Sequence, residues 1–266
     1  MNGKPLVLIL ALLAAPSIGF AAVLTSGSFE NGYTPFVSNY NGSEIVVDST
    51  APNGTHSLRF NFPAGCCDGA APDIVTPNPE FWPDVEEIYA QFYIKYSSNW
   101  VDQAATNKWI YIWFGDTFNK PNLPVMGHNQ RYKQGSWAVL QAPPTDTAYY
   151  EQFWLSNKDF TYGVWHKMVI RVKMNTPGVA NGILQMWQDD VLILNASDGF
   201  FRKAGATFGI TSFHMTPVYG GGGSTPPADQ YMWFDDVIVQ TTPFRMSTTP
   251  PPASYQPSPP SSLSIK

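Results

Sequence analysis

The feature that most constrains the fold is an alternation, from Ala22 onward, of short β-branched and aromatic runs with clusters of Gly, Pro, Asn and Asp. No long stretch carries the three-to-four-residue apolar period of an amphipathic helix. We therefore expect an all-β fold, a sandwich of two antiparallel sheets. The expected strands are Glu44–Asp48, Ser57–Phe62, Glu87–Tyr96, Lys108–Phe114, Ser136–Gln141, Tyr149–Leu155, His166–Met174, Gly182–Gln188, Val191–Leu194, Thr207–His214 and Gln230–Gln240.

The two ends of the chain differ in composition from the middle. Residues 1–21 carry one lysine, an apolar run and small residues before Ala22, which is typical of a secretory signal peptide. Residues 243–266 are dominated by Pro, Ser and Thr, with too little apolar surface to offset the entropy of ordering them. We expect a secreted protein with one β-sandwich domain over residues 22–242 and a disordered tail.

The glycine-rich stretch GGGGSTPP, residues 220–227, has the composition of an interdomain linker. The only strong strand after it is Gln230–Gln240, and a single strand cannot bury its apolar face alone. That strand must return to the existing sheets, so we expect residues 220–227 to form a loop within one domain.

Charge and hydropathy limit the partners. The formal net charge is -5, and removal of Lys4 with the signal peptide makes it more negative, which argues against binding of nucleic acid. No run after the first 21 residues is long and apolar enough to insert into a membrane. Aromatic residues reach 15% of the chain, a composition suited to strands and stacking surfaces. We expect a monomer that neither binds nucleic acid nor inserts into a membrane.

The two cysteines, Cys66 and Cys67, are adjacent. Their Cα atoms are about 3.8 Å apart across a trans peptide, closer than most disulfides prefer. A bridge between neighbours and a pair of free or intermolecularly paired thiols both remain open.

Two consecutive blocks carry a family resemblance. FTYGVWHKMVIRVKM (residues 160–174) followed by NGILQMWQDDVLI (residues 181–193) resembles the signature of concanavalin A-like jelly rolls, and most of all their polysaccharide-lyase branch, which includes glucuronan and alginate lyases. Asp189-Asp190 replaces the usual Asp-Gly. SFHMTPVYGGGG (residues 212–223) resembles the glycine-rich loop before the last strand of those enzymes. The resemblance implies a jelly-roll β-sandwich that acts on, or at least binds, an extracellular polysaccharide.

A second resemblance concerns the ends of the domain. SGSFENG (residues 26–32) and FDDVIV (residues 234–239) resemble the first and last strands of jelly-roll carbohydrate-binding modules. In such modules an early acidic residue and a late aspartate share a structural calcium ion, which implies Glu30 and Asp236 as ligands here. The alternative is that both are solvated acids at strand ends.

Two reaction types fit such a fold. A glycoside hydrolase needs two carboxylates facing each other across the scissile bond, and the compact E-x-D-x-x-E strand of jelly-roll hydrolases is missing from the sequence. A lyase needs a group that neutralises the uronate carboxylate, a base for the C5 proton and an acid for the departing oxygen. We therefore expect β-elimination of a uronate polysaccharide. The alternatives are a non-catalytic carbohydrate-binding protein and a structural surface protein.

Candidate site residues come from strand alternation. Gln91, Tyr93 and Lys95 share the polar face of one expected strand, and His214 ends another beside the glycine-rich loop that contains Tyr219. We expect these to meet on one concave face, with Lys95 and Gln91 neutralising the carboxylate and with His214, Tyr219 or Tyr93 exchanging protons. The alternative for the lysine is an ordinary solvated strand face.

A secondary candidate is the segment MGHNQRYK, residues 126–133. It gathers His128 and Arg131 beside other polar side chains, a cluster suited to a sugar acid but also to an ordinary surface loop. His166 falls within the fold signature itself, so we expect it to be structural.

Overall fold

The computed structural model describes residues 22–39, 41–67, 71–78, 80–102, 107–115, 122–126, 137–140, 152–156, 158–220 and 225–245. The expected signal peptide and nearly all of the proline-rich tail lie outside these ranges. The described residues form strands, turns and loops, and no helix that could cross a membrane occurs among them.

The all-β prediction is confirmed. The strands are β1 (Val23–Gly27), β2 (Phe36–Ser38), β3 (Ser43–Val47), β4 (His56–Phe62), β5 (Val75–Pro77), β6 (Glu87–Tyr96), β7 (Asn107–Phe114), β8 (Asn122–Met126), β9 (Trp137–Leu140), β10 (Gln152–Leu155), β11 (His166–Lys173), β12 (Gly182–Gln188), β13 (Val191–Gly199), β14 (Ile210–Tyr219) and β15 (Gln230–Gln240).

The described strands form two antiparallel sheets. The eight-stranded sheet has the order β13-β12-β11-β6-β15-β4-β3, and β1 pairs with the second half of β15. The seven-stranded sheet has the order β10-β9-β8-β7-β14-β5-β2. The meander expected over residues 166–194 is present as β11, β12 and β13.

The core lies between the two sheets and is rich in aromatic rings. Phe92 on β6 packs against Trp109 on β7 and Phe213 on β14, with ring centroids 6.5 and 6.0 Å apart. All three side chains are fully buried. Since alternate residues of a strand point to opposite faces, these contacts fix which side chains of β6 and β14 point outward.

Strand β15 lies in the middle of the eight-stranded sheet, whereas β14 lies in the middle of the other sheet. The glycine-rich stretch therefore joins the two sheets of the sandwich, and residues 221–224 of it lie outside the described ranges. Near the C-terminal end of the stretch, the Pro226 carbonyl accepts a hydrogen bond of 2.9 Å from the Gly65 N–H.

The adjacent cysteines are bridged. Cys66 and Cys67 form a disulfide, with Cα atoms 3.7 Å apart, in the turn after β4. Of the alternatives left open by the sequence, the structure has the vicinal bridge. Both side chains pack against the main core.

Candidate functional site

The expected site residues lie on opposite surfaces of the sandwich. Phe92 and Phe213 meet in the core, so their strand neighbours point outward on different sheets. Gln91 and Lys95 lie on the outer face of the eight-stranded sheet. His214 lies on the outer face of the seven-stranded sheet, where its ring is 5.8 Å from that of Trp113. The expected meeting of Gln91, Tyr93 and Lys95 with His214 is therefore wrong, because the core separates them.

Lys95 has partners of its own. Its Nζ donates hydrogen bonds to Asp48 Oδ2 at 2.6 Å and to Thr50 Oγ1 at 2.9 Å, and the side chain is 9% exposed. Trp165 and Trp233 flank the ammonium group. Lys95 is thus a buried, ion-paired cation on the opposite side of the sandwich from His214.

Tyr219 is also placed differently from the expectation. It is the last residue of β14, and alternation from the core residues Phe213 and Met215 points it inward. Its ring packs against Phe62 and Trp100, and it is 3% exposed. Tyr219 is a core side chain and does not reach the outer face beside His214.

A cavity of about 430 Å³ opens on the outer face of the seven-stranded sheet. Strands β7 and β14 form its floor, since Tyr111 lies directly across from His214 and Trp113 across from Ser212. The cavity is lined by Asn39, Ile74, Glu80, Tyr111, Trp113, His214 and Thr216.

His214 is enclosed at the base of this cavity. The side chain is 5% exposed, and this burial lowers the pKa of His214 to about 4. Its Nε2 is 2.7 Å from Ser212 Oγ and 3.6 Å from Glu80 Oε1. Ser212 and Glu80 approach the same ring nitrogen, so the three residues are not arranged as a nucleophile relay, in which the partners take opposite nitrogens.

The aromatic floor beside His214 offers a hydroxyl and a stacking surface. Tyr111 and Trp113 stack with centroids 6.0 Å apart and an interplanar angle of 17°. Burial raises the pKa of Tyr111 to about 12, so its hydroxyl keeps its proton at neutral pH. A protonated phenol and an unprotonated imidazole thus face the same cavity.

Lys108 is a candidate that the sequence reasoning missed. Its strand neighbours Asn107 and Trp109 are fully buried, so Lys108 points out of the seven-stranded sheet. Its Nζ donates to the Gly220 carbonyl at 3.3 Å, at the start of the glycine-rich stretch. Burial lowers the pKa of Lys108. The sequence feature that could have indicated Lys108 is a single cation in a run of mostly aromatic and aliphatic residues.

Two other candidates lie outside the described residues. His128 and Arg131 both fall within residues 127–136. Their roles stay predictions.

The two expected calcium ligands lie near one another, with Asp235 beside them. Glu30 accepts hydrogen bonds from the backbone N–H groups of Thr55 and His56, which lower the pKa of Glu30 to about 2. Burial, with the nearby Asp236 and Glu30 charges, raises the pKa of Asp235 to about 7. The described residues hold no group of three or more His, Cys, Asp or Glu side chains arranged as a metal site.

His166 has the structural role that we expected. Its Nδ1 is 2.8 Å from Asp189 Oδ2, and its Nε2 is 3.1 Å from the Thr161 carbonyl. Asp189 and Asp190 have φ values of 52° and 63°, so both occupy the left-handed conformation of a tight hairpin turn. The Asp-Asp sequence therefore preserves the turn that the usual Asp-Gly would make.

Comparisons with known proteins agree with this fold. Residues 131–237 match the family model of polysaccharide lyase 14. The alginate lyase of Aplysia kurodai superposes with a TM-score of 0.64 at 13% identity, covering 84% of this chain and all of that one. The glucuronan lyase of Trichoderma reesei superposes with a TM-score of 0.60 at 13% identity, covering 83% of this chain and 96% of that one. An alginate lyase of a Chlorella virus superposes with a TM-score of 0.56 at 14% identity, covering 83% of this chain and all of that one.

Comparison with curated protein sequences finds no match. The resemblance to the polysaccharide-lyase type rests on the family match and on shared architecture. The chain thus has the jelly-roll fold of these lyases, and its residues 131–237 are similar to polysaccharide lyase 14.

Proposed function

We propose that the protein cleaves a uronate-containing polysaccharide by β-elimination in the cavity on the seven-stranded sheet. The observation that carries this proposal is the pairing of His214 with Tyr111 across adjacent strands. The imidazole is unprotonated and the phenol is protonated at neutral pH, which are the states that a base and an acid need before the reaction.

The elimination needs three roles. His214 takes the proton from C5, and Tyr111 gives its proton to the departing glycosidic oxygen as the C4–O bond breaks and a C4–C5 double bond forms. Lys108 does not line the cavity, but it points out of the same strand as Tyr111, three residues before it. We assign to it the role that we had expected of Lys95 and Gln91, neutralisation of the uronate carboxylate. Trp113, stacked on Tyr111, supports a sugar ring.

The cavity chemistry favours elimination over hydrolysis. Glu80 is the sole carboxylate among the described lining residues, and its side chain is 44% exposed. A glycosidase needs two carboxylates on opposite sides of the bond that it cleaves. A neutral imidazole and a phenol need no such partner.

The test is incubation of the purified protein with alginate, glucuronan and pectate, followed by absorbance of the unsaturated product. Appearance of unsaturated ends supports the proposal. Binding to these polymers without unsaturated ends supports the carbohydrate-binding alternative.

We also propose, as the sequence resemblance implied, a structural calcium ion near Glu30 and Asp236. Burial raises the pKa of both Asp235 and Asp236, and the Glu30 charge raises it further, so the three carboxyl groups are near one another. Asp235 Oδ2 is buried without a hydrogen-bond partner in the structure. Oxygen-rich sites of this kind suit Ca²⁺. Because Glu30 already accepts hydrogen bonds from two backbone N–H groups, its oxygens would have to contact the ion as well as these donors.

We further propose that the protein is secreted, as the composition of residues 1–21 suggests, and that it acts as a monomer; its formal net charge of -5 argues against nucleic acid as a partner.

A further inference from the structure

A row of alternating rings and cations crosses the outer face of the eight-stranded sheet, on the opposite surface from the cavity. In cross-strand register, Arg59 on β4 pairs with Trp233 on β15, and Trp233 pairs with Lys95 on β6. The register of β11 with β6 then sets Trp165, the residue before β11, next to Lys95. We call Arg59, Trp233, Lys95 and Trp165, together with Tyr231, the aromatic row.

Lys95 holds the two tryptophans in place. Its Nζ is 4.6 Å from the ring centroid of Trp165 and 4.7 Å from that of Trp233, a cation–π arrangement on both sides. Asp48 fixes the ammonium group through the 2.6 Å ion pair. Trp165 Nε1 donates to Thr50 Oγ1 at 3.2 Å. Both indole rings therefore stand at defined positions before any ligand arrives.

The row continues at its other end. Arg59 lies over the ring of Tyr231, 4.8 Å from the centroid, and forms an ion pair with Glu44. Tyr231 and Trp233 have ring centroids 5.7 Å apart. Tyr231, Trp233 and Trp165 are all half-buried, so each ring is held by the protein and still presents surface to solvent.

The charges of the row are balanced internally. Asp48 neutralises Lys95, and Glu44 neutralises Arg59. A uronate carboxylate would have to displace one of these acids to find a free cation. The row therefore suits an uncharged ligand.

The spacing of the rings fits a carbohydrate. Trp233 and Trp165 stand two strands apart, roughly 10 Å given the usual strand separation, which is comparable with the length of a disaccharide. Aromatic rings stack against the C–H faces of pyranose units, and neighbouring polar groups such as Glu44 and Thr50 can meet the hydroxyls. A fixed row of this length, with each ring still presenting surface to solvent, is suited to an extended chain.

We propose that the aromatic row binds an uncharged β-linked polysaccharide. The ligand is different from the uronate polymer of the cavity, and the site lies on the other surface, so the inference does not depend on the lyase activity. Its consequence is a protein that docks on a neutral glycan by one face while the cavity on the opposite face stays open.

The test is affinity electrophoresis of the full chain in gels that contain hydroxyethylcellulose, glucomannan or alginate, with cellohexaose titrations followed by tryptophan fluorescence. We expect retardation by at least one neutral glucan. We expect Trp233→Ala and Trp165→Ala each to weaken that binding ~10-fold, whereas Trp233→Phe keeps most of it.

The matched control is Trp187→Phe. Trp187 lies on the eight-stranded sheet but is 8% exposed and packs with Phe244, so its replacement should leave glycan binding unchanged. Circular dichroism and melting temperature establish that each variant is folded. No retardation of the wild type by any neutral glycan overturns the proposal. So does unchanged retardation of both folded alanine variants, or retardation by alginate alone.

Discussion

Phe92 packs against Phe213 in the centre of the sandwich, with 6.0 Å between their ring centroids. Each ring belongs to the middle of a different sheet, so the residues beside them point to opposite outer surfaces. The surface behind Phe213 has an enclosed histidine, a protonated tyrosine and a cavity. The surface behind Phe92 has ion-paired cations between aromatic rings. The two surfaces can therefore be altered separately by substitution.

The first prediction compares one residue from each surface. His214→Ala should reduce β-elimination about 100-fold or more, the scale of a lost general base, because it removes the acceptor of the C5 proton. Gln91→Ala is the control, since Gln91 lies on the other outer face. We expect its rate to match the wild type. The measurement is the initial rate of unsaturated-product absorbance on a polymer that the wild type cleaves.

Full activity of His214→Ala would show that the base is another group, with Lys108 the next to replace. A comparable loss in Gln91→Ala would show that the reaction takes place on the eight-stranded sheet. Melting temperatures of both variants separate loss of chemistry from loss of fold.

The second prediction concerns stability at acidic pH. Burial lowers the pKa of His214 from 6.5 to about 4, so between these values the unfolded chain binds a proton that the folded chain excludes. Stability from this group is fully present above the unfolded pKa and falls as the pH drops from about 6.5 to about 4. The loss is on the order of 3 kcal/mol at most.

Asp235 titrates with the opposite sign. Its pKa is raised from 3.8 to about 7, so the folded chain holds the extra proton and stability from this group falls as the pH rises through that range. The measurement is therefore a difference, urea unfolding of the wild type minus that of His214→Gln, from pH 4 to 7. The difference should increase with pH. A flat difference would contradict the buried, unprotonated state of His214.

Much of the fold was predictable, because the alternation of apolar and polar residues indicates strands and the Gly, Pro, Asn and Asp clusters indicate the turns between them. Strands β6, β12 and β15 have the same bounds as the runs predicted from sequence. Four strands were missed, namely β1, β2, β5 and β8. Two of these contain proline, Pro77 and Pro124, which weakens a strand pattern read from sequence. The three-residue strands are too short for alternation to be detected.

The site was less predictable, because alternation gives faces within a strand but not which sheet a strand joins. Lys95 was expected on the polar face of its strand and His214 at the end of another, and the assignment of both to one surface failed. Tyr219 was expected in the glycine-rich loop, but β14 continues through Pro217 to Tyr219, and alternation from Phe213 then points Tyr219 into the core. Proline weakens a strand pattern read from sequence, so this extension of the strand was not predicted.

The third prediction concerns calcium. If Ca²⁺ binds near Glu30 and Asp236, its addition should raise the melting temperature of the wild type and a chelator should lower it, since a ligand that binds only the folded state stabilises it. Asp236→Asn should abolish this response. Asp190→Asn, at an exposed turn on another part of the sheet, is the control. A melting temperature that does not change with calcium or chelator would disprove the site.

The fourth prediction concerns the vicinal disulfide. A bridge between Cys66 and Cys67 closes the shortest possible loop, and the chain-entropy model then gives it about 1 kcal/mol, far less than a bridge across a long loop. The turn is also fixed without it, because the Gly65 N–H bonds to the Pro226 carbonyl at 2.9 Å and the Ala64 N–H to Asp229 Oδ1 at 2.8 Å. We therefore expect thiol reductant to change the free energy of unfolding by about 1 kcal/mol, measured in urea. The double variant Cys66→Ala/Cys67→Ala should be insensitive to reductant. A much larger loss on reduction, seen in the wild type but not in the double variant, would mean that the bridge controls more of the sandwich than this turn.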